Sequence, residues 1–356
     1  MIEGIKELRE KLESEIKEAS KVFVIGHNDP DIDSVASAVA LAYLAQSYGK
    51  EAYVVIEEDD IKIESRLKAV IDQCKEPYHI IRKRDYLDLA DKKSLLILTD
   101  VNKQERIRVG DSLDRIGRTM IIDHHNEGET TVPASEKFIS LASSSASEIM
   151  TRVFLNGKIP IPKDIANYLL AGIYVDSKNF EFNTTETTHE MRKKLLKMGA
   201  NPELANDFLK EEFETYCRVK DLVINGTIFK KYFDSIQAPV NAAFTLNRKK
   251  PKQIYLKDDL AKAANDLISL SGVNVGFAIG YVEPGVINIS ARSGKRVNVE
   301  AVMDAMGGGG NAQLAGGRFT TDDIFALENE LMGKVPCGII EEDQDTPPQM
   351  EKTPKK

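Results

Sequence analysis

The stretch Val22–Ser34, VFVIGHNDPDIDS, constrains this chain more than any other. Val22, Phe23, Val24 and Ile25 form an unbroken apolar run, the pattern of a short strand buried on both faces. Gly26 turns the chain, polar and ionisable residues follow, and Ser34 is expected to cap a helix that opens with small residues. A buried strand ending in His-x-x-x-Asp-x-Asp sets an imidazole and hard oxygen ligands at its C-terminal edge, where open α/β sheets bind ligands. A loop of Asp and Asn on its own is only a solvated turn. The weight of this one depends on what arrives from downstream.

The same grammar recurs. Glu51–Ile56 reads as a second strand and His79–Ile81 as a short third, with helices over Val35–Tyr48 and about residues 63–73 between them. Ser94–Asp100 (SLLILTD) is another buried strand ending on Asp, and Thr119–Asp123 (TMIID) runs straight into His124, His125 and Asn126. Strands separated by helices imply βαβ units, hence an α/β fold with a doubly wound, mainly parallel sheet. A helix over Ser143–Leu155 follows a serine cluster, and the apolar helix Ile165–Asp176 carries one more Asp to its end. From His189 to about Lys231 the pattern is helical and highly charged.

Around Pro239 the composition changes. Val240–Leu246, Val275–Glu283 and Val286–Arg292 alternate as strands, the last two joined by a Pro284-Gly285 turn. A helix over Val299–Met306 leads into Gly307, Gly308, Gly309 and Gly310, and Thr321–Lys334 is the last helix. The expected organisation is a solvated N-terminal helix (1–20), a larger metal-binding domain (21–225), a linker (226–238), a smaller α/β domain (239–337) and a disordered tail (338–356).

At 356 residues, 42% apolar and 29% charged, the chain can build two hydrophobic cores. No run approaches a membrane span, and IEGIKELREKLESEIKEA near the N-terminus is an amphipathic charged helix and not a signal peptide. A cytoplasmic protein is expected. The scattered Cys74, Cys217 and Cys337 have no metal-ligand spacing and read as buried free thiols. A net charge of −8 argues against a long nucleic acid as partner.

Asp31, Asp33, Asp100, Asp123 and Asp176 all stand at or just beyond the ends of apolar segments, with His27 and His124 among them. A buried cluster of unpaired carboxylates is very costly. Two divalent cations would balance four ionised Asp, and one carboxylate can bridge ions about 3.5–4 Å apart, the spacing of two-metal hydrolytic sites. Mixed carboxylate and imidazole ligation favours Mn²⁺ over Mg²⁺, without excluding Mg²⁺ or Co²⁺. Turn formation explains any one of these Asp residues, but not so many in company with His.

GHNDPDIDS, SLLILTD, IIDHHN and LLAGIYVDSKNF, in that order and followed by the glycine run, resemble the DHH phosphoesterase superfamily with its DHH-associated C-terminal domain, over about residues 20–335. PDIDS, AGIYVDSKNF, Ser144-Ser145 ahead of Glu148, and ISARS before GGGG look most like the catalytic module of GdpP-type cyclic di-AMP phosphodiesterases. The membrane segments, PAS domain and cyclase-like domain that precede the module in that family have no counterpart in this sequence, so a stand-alone homologue or a catalytic fragment is expected.

The resemblance implies that His27, Asp31 and Asp100 hold one ion, and that Asp33, Asp100, His124 and Asp176 hold the second, with Asp100 bridging. It implies that Asp123 orients a metal-bound imidazole, and that His125 faces the substrate phosphate or transfers a proton; a purely structural hydrogen bond is the alternative for His125. Ser290, Arg292, Ser293 and the Gly307–Gly310 loop would contact a nucleotide in a cleft between the domains, with a hinge near residues 225–238 and a homodimer as the assembly. Asn311 stands where the family pattern has His, and Asn cannot act as a cation or transfer a proton. The implied reaction is attack of metal-activated hydroxide on a phosphodiester, opening cyclic di-AMP to a linear dinucleotide. Alternatives are a nanoRNase-like hydrolase of short linear nucleotides, a manganese pyrophosphatase that shares the first-domain motifs, and a non-catalytic nucleotide sensor.

Overall fold

A computed structural model describes residues 4–57, 65–107, 109, 110, 112–231, 240–294 and 296–339. The chain divides into two compact units, Met1–Lys210 and Glu211–Lys356. The first runs α1 (Ile5–Glu18), β1 (Val22–Ile25), α2 (Ile32–Ser47), β2 (Ala52–Val55), α3 (Ser65–Cys74), β3 (Ile80–Ile81), α4 (Lys83–Leu89) and β4 (Leu95–Thr99). It continues through β5 (Arg118–Asp123), β6 (Glu136–Ile139), α5 (Ala146–Gly157), α6 (Lys163–Asp176), α7 (Glu186–Lys197) and α8 (Pro202–Asp207). Its strands form one all-parallel sheet in the order β3-β2-β1-β4-β5-β6.

The unbroken apolar runs are explained by burial on both faces. Val22, Val24, Leu95, Ile97, Met120 and Ile122 point into the core under α1, α2, α5 and α6. Their neighbours Phe23, Ile25, Leu96, Leu98 and Ile121 fill the opposite core around Tyr53 and Tyr86. The strand order reverses between β1 and β4, the topological switch point at which sheets of this kind open a crevice beyond their C-terminal ends.

The N-terminal helix is not the solvated lead-in expected. Its stripe Ile5, Leu8, Leu12 and Ile16 recurs at helical spacing, is buried, and packs on α5 within the first unit's core. The charges outside the stripe face solvent, which makes the segment read as polar.

The second unit holds α9 (Phe213–Ile224), β7 (Thr227–Lys231), β8 (Val240–Thr245), α10 (Lys257–Ile268), β9 (Val275–Glu283) and β10 (Val286–Ser293). After these come α11 (Val299–Asp304), β11 (Gly309–Gly310), β12 (Leu314–Thr320) and α12 (Ile324–Lys334). Their mixed sheet has the order β11-β12-β10-β9-β8-β7, with β8 and β9 parallel and the other pairs antiparallel. The turn between β9 and β10 is the expected hairpin, with Gly285 at φ 72.

The boundary falls earlier than expected. Val219 and Leu222 of α9 pack with Leu260, Ala263 and Ala264 of α10, so residues 211–225 belong to the second unit. The expected linker is partly strand: β7 lies within it and pairs with β8, while residues 232–239 lie outside the described residues, as does the expected tail from residue 340. Of the three cysteines expected to be buried free thiols, all are free but only Cys74 is buried, while Cys217 and Cys337 are exposed. Among the described residues no helix is long and apolar enough to cross a membrane.

Candidate metal centre

The site grows from the C-terminal ends of β1, β4 and β5. After β1, the His27 N–H donates to Ser34 Oγ at 3.2 Å, and a Cβ on Gly26 would sit 2.0 Å from that same oxygen. Ser34 is therefore not the helix cap. That role falls to Asp31, whose Oδ1 accepts from the Asp33 and Ser34 N–H groups at 2.9 and 3.0 Å. Its Oδ2 remains, 3.7 Å from His27 Nε2.

Asp100 follows β4 directly with a left-handed backbone (φ 57), a conformation that Asp tolerates better than most residues. Its Oδ2 lies 3.4 Å from His27 Nε2 and its Oδ1 3.2 Å from His124 Nε2. Asp176, the last residue of α6, brings Oδ2 to 3.2 Å from the same His124 nitrogen. Asp33 is fully buried against the N-terminus of α5, where Oδ2 accepts from the Ala146 N–H at 2.8 Å and Oδ1 from the Ser147 N–H at 2.9 Å. The α5 amides are contacts that sequence spacing did not reveal; the serine cluster before Glu148 was their only trace.

Asp123 differs from expectation in its partner. Its Oδ1 accepts from the His124 and His125 backbone N–H groups at 2.7 and 3.2 Å and lies 2.8 Å from His125 Nδ1. It orients the imidazole of His125 and not that of His124, because the chain turns back on the Asp123 carboxylate immediately after β5.

Candidate ligand atoms of His27, Asp31 and Asp100 lie within 4.8 Å of one another, and so do those of Asp33, Asp100, His124 and Asp176. Asp100 belongs to both groups. A third grouping, Asp100, Asp123, His124 and His125, overlaps them. Burial by itself pulls the His27 imidazole down, but the Asp100 and Asp31 carboxylates outweigh it and hold the group at about 10. His124 is likewise pulled down by burial yet held at about 11 by Asp100 and Asp176. Burial, then the Asp100 charge, push Asp33 up to about 7, and burial with the Asp33 charge raises Asp176 well above the usual carboxylate range. Asp100 goes the other way: burial would raise it, but His124 and His27 hold it well below that range.

The carboxylates and imidazoles thus offset one another's charge. They do it imperfectly. His27 Nδ1, Asp100 Oδ1 and His124 Nε2 are buried without a well-directed hydrogen bond, an unusual state for buried polar atoms. Imidazole nitrogens and carboxylate oxygens that converge without satisfying one another make a donor set that fits divalent cations.

Residues 21–173 match the DHH family, N-terminal domain, and residues 242–332 match the DHHA1 domain. The chain carries a DHH-type N-terminal domain followed by a DHHA1 domain. It is 27% identical over 303 residues to the cyclic-di-AMP phosphodiesterase GdpP of Bacillus subtilis, spanning 83% of this chain and 44% of that protein. A probable manganese-dependent inorganic pyrophosphatase of Archaeoglobus fulgidus is 31% identical over 191 residues, covering 51% of this chain and 58% of that protein. The chain thus spans about half the length of these curated relatives. An exopolyphosphatase-related protein from Bacteroides fragilis shares the fold at a TM-score of 0.74 and 19% identity, over 92% of this chain and 96% of that one.

The second unit's candidates behave unequally. Arg292 Nη1 donates to Ser290 Oγ at 3.1 Å and to the Ala291 carbonyl at 2.8 Å, and its buried Nε has no partner. Ser293 is buried, with its hydroxyl donating to the Val297 and Ala312 carbonyls, so it is occupied within the fold. The glycines owe part of their identity to β12: a Cβ on Gly308 would lie 2.5 Å from the Gly316 carbonyl oxygen, and one on Gly310 2.4 Å from Ala315 Cα. Gly307 and Gly309 have no such crowding at van der Waals distance. Asn311 Oδ1 accepts from the Gln313 and Leu314 N–H groups at 3.0 and 2.9 Å and holds the turn into β12.

Proposed function

We propose that this chain is a dinuclear metal-dependent phosphodiesterase that opens cyclic di-AMP, or a related cyclic dinucleotide, to the linear dinucleotide. The observation that carries the reading is the pair of convergent ligand groups sharing Asp100. His27, Asp31 and Asp100 would hold one ion, and Asp33, Asp100, His124 and Asp176 the other. Mn²⁺ is our assignment for both, from the mixed donor set, with Co²⁺ and Mg²⁺ as ions to be compared. When bound, such a pair supplies Lewis acidity toward phosphate oxygens and lowers the pKa of a water.

The chain's own groups do the rest. Asp123 fixes Nδ1 of His125, whose side chain is 46% exposed, leaving Nε2 free to bond a phosphate oxygen or to give a proton to the departing ribose oxygen. Asp31 divides its carboxylate between capping α2 and facing the ion. Ser290, Arg292, Gly307–Gly310 and Asn311 are our candidates for nucleotide recognition, with Ser293 as their support. Similarity to a cyclic-di-AMP phosphodiesterase over most of this chain favours the cyclic substrate, and a cytoplasmic setting follows from that reading.

A nanoRNase-like preference for short linear dinucleotides is the second reading, favoured by Asn311, whose carbonyl oxygen is already engaged by its own turn. A turnover screen with Mn²⁺ decides, using cyclic di-AMP, linear diadenylate and pyrophosphate side by side with Asp100→Ala as control. We expect hydrolysis of the cyclic dinucleotide, absent in the Asp100→Ala chain. A large preference for the linear dinucleotide or for pyrophosphate overturns the first reading, and tight nucleotide binding without turnover in any of the ions would make the protein a sensor.

A further inference from the structure

Asp33 and Asp176, two of the residues proposed for the second ion, arrive on separate helices, α2 and α6, with candidate ligand atoms within 4.8 Å of each other, and Asp33 is held by the N-terminus of α5. Asp33 accepts two of its backbone N–H groups. Gly172, one turn before Asp176, lies so close that a Cβ there would be 2.3 Å from Ser147 Oγ and 2.6 Å from Asp33 Oδ1. The seating of this helix end therefore sets where the Asp33 carboxylate lies and how α6, which carries Asp176, packs beside it.

Glu148 is what seats it. The residue stands at the third position of α5, after the N-cap Ser145, and is fully buried. In a capping box, a glutamate at this position returns to the N–H of the N-cap residue. Glu148 instead reaches one residue further, and its Oε2 accepts from the Ser144 N–H at 3.1 Å and the Ser144 hydroxyl at 2.8 Å. The same oxygen accepts from the Thr188 hydroxyl of α7 at 2.7 Å. The segment between Asp176 and α7 is also held through Asn183 Nδ2, which donates to the Ser143 carbonyl at 3.2 Å. That segment needs holding, because Lys178, Asn179 and Phe180 are three consecutive residues with positive φ.

Resting on the dinuclear reading above, we infer that Glu148 is a positioning residue of the second ion: it ties the α5 N-terminus that carries Asp33 to the segment that follows Asp176. Removing it would loosen the spacing of those two carboxylates without touching His27, Asp31 or Asp100. A buried carboxylate is an expensive way to make three hydrogen bonds unless something depends on them, and Arg152, one turn further along α5, stands close enough to interact with its charge. The other Glu148 oxygen has no partner, so glutamine can reproduce all three accepted bonds.

The test is titration of the full chain with Mn²⁺ alone, followed by calorimetry and by EPR, in which two neighbouring ions broaden each other's spectrum and a lone ion does not. Wild type is expected to take two ions. E148A should bind the first normally and the second about 10–100-fold more weakly, the range typical when a partner supporting a metal ligand is removed, with the lone-ion spectrum at one equivalent. E148Q should restore the pair. A folded E148A that binds two ions with wild-type affinity, or an E148Q as weak as E148A, overturns the inference while leaving the dinuclear reading intact. Wild type binding fewer than two ions overturns both. Should E148A fail to fold, T188V removes the bond from α7 to Glu148, along with the Thr188 hydroxyl's part in capping α7: it should weaken the second ion several-fold, and unchanged binding of both ions counts against the inference.

Discussion

Within one small volume this chain gathers Asp31, Asp33, Asp100 and Asp176 with two imidazoles, and their proton affinities are set by one another. The His27 and His124 imidazoles are held at about 10 and about 11, and Asp33 at about 7, so near neutral pH both imidazoles and a share of the carboxylates carry protons when no ion is bound. Ligands must shed those protons to take a cation. Lowering the pH adds protons to be displaced, so Mn²⁺ affinity should fall from about pH 8 to about pH 6 and rise in the opposite direction. Calorimetric titration in buffers of different ionisation enthalpy should show more than one proton released per pair of ions; an enthalpy independent of the buffer would contradict this.

At the scale of elements, α6 must lie flush on α2 and α5, and at Gly172 there is no room even for a Cβ. Gly172→Ala should destabilise the chain by about 1–3 kcal/mol through overpacking and weaken Mn²⁺ binding as Asp33 is pushed aside. Unfolding curves with and without the ion check both effects; an alanine variant with unchanged stability would mean that the helices yield freely there. The elements most legible in the sequence were those buried on two faces, such as β1 and β4, where apolar residues run unbroken. Those least legible were marginal in pattern. Edge strand β6 is only Glu136–Ile139 and turns Lys137 outward, while α10 builds its buried stripe on Leu260 and Leu267 with two alanines between them. The ligating residue types were legible because Asp and His recur at strand ends. Their partners were not: that Asp31 caps α2, or that Asp123 holds His125, depends on how the chain turns back over a few residues, which spacing does not encode.

For the whole molecule, the candidate residues are divided between the two units. All six candidate ligands lie in Met1–Lys210, and Ser290, Arg292 and the glycine run lie in Glu211–Lys356. A chain ending at Lys210 should fold around its own parallel sheet and bind Mn²⁺ about as well as the full chain, yet show no turnover of a cyclic dinucleotide. Metal titration and a hydrolysis assay on the same preparation check the two halves of that statement. Loss of metal binding on truncation would mean that the first unit does not hold its site alone.

The left-handed backbone of Asp100 also limits the routes by which this chain could change. Most side chains pay about 1–2 kcal/mol to sit in that conformation, which makes Asn and Gly the replacements the backbone accepts at least cost. Asn lacks the charge proposed to bridge the ions, and Gly lacks a ligand altogether. Glu keeps the charge but moves it outward by a methylene and suits the backbone poorly. Position 100 is thus an isolated summit in sequence space, with no neighbouring residue that satisfies both fold and chemistry. Drift elsewhere in the site can proceed by degrees, whereas a substitution here changes what kind of protein the chain can be.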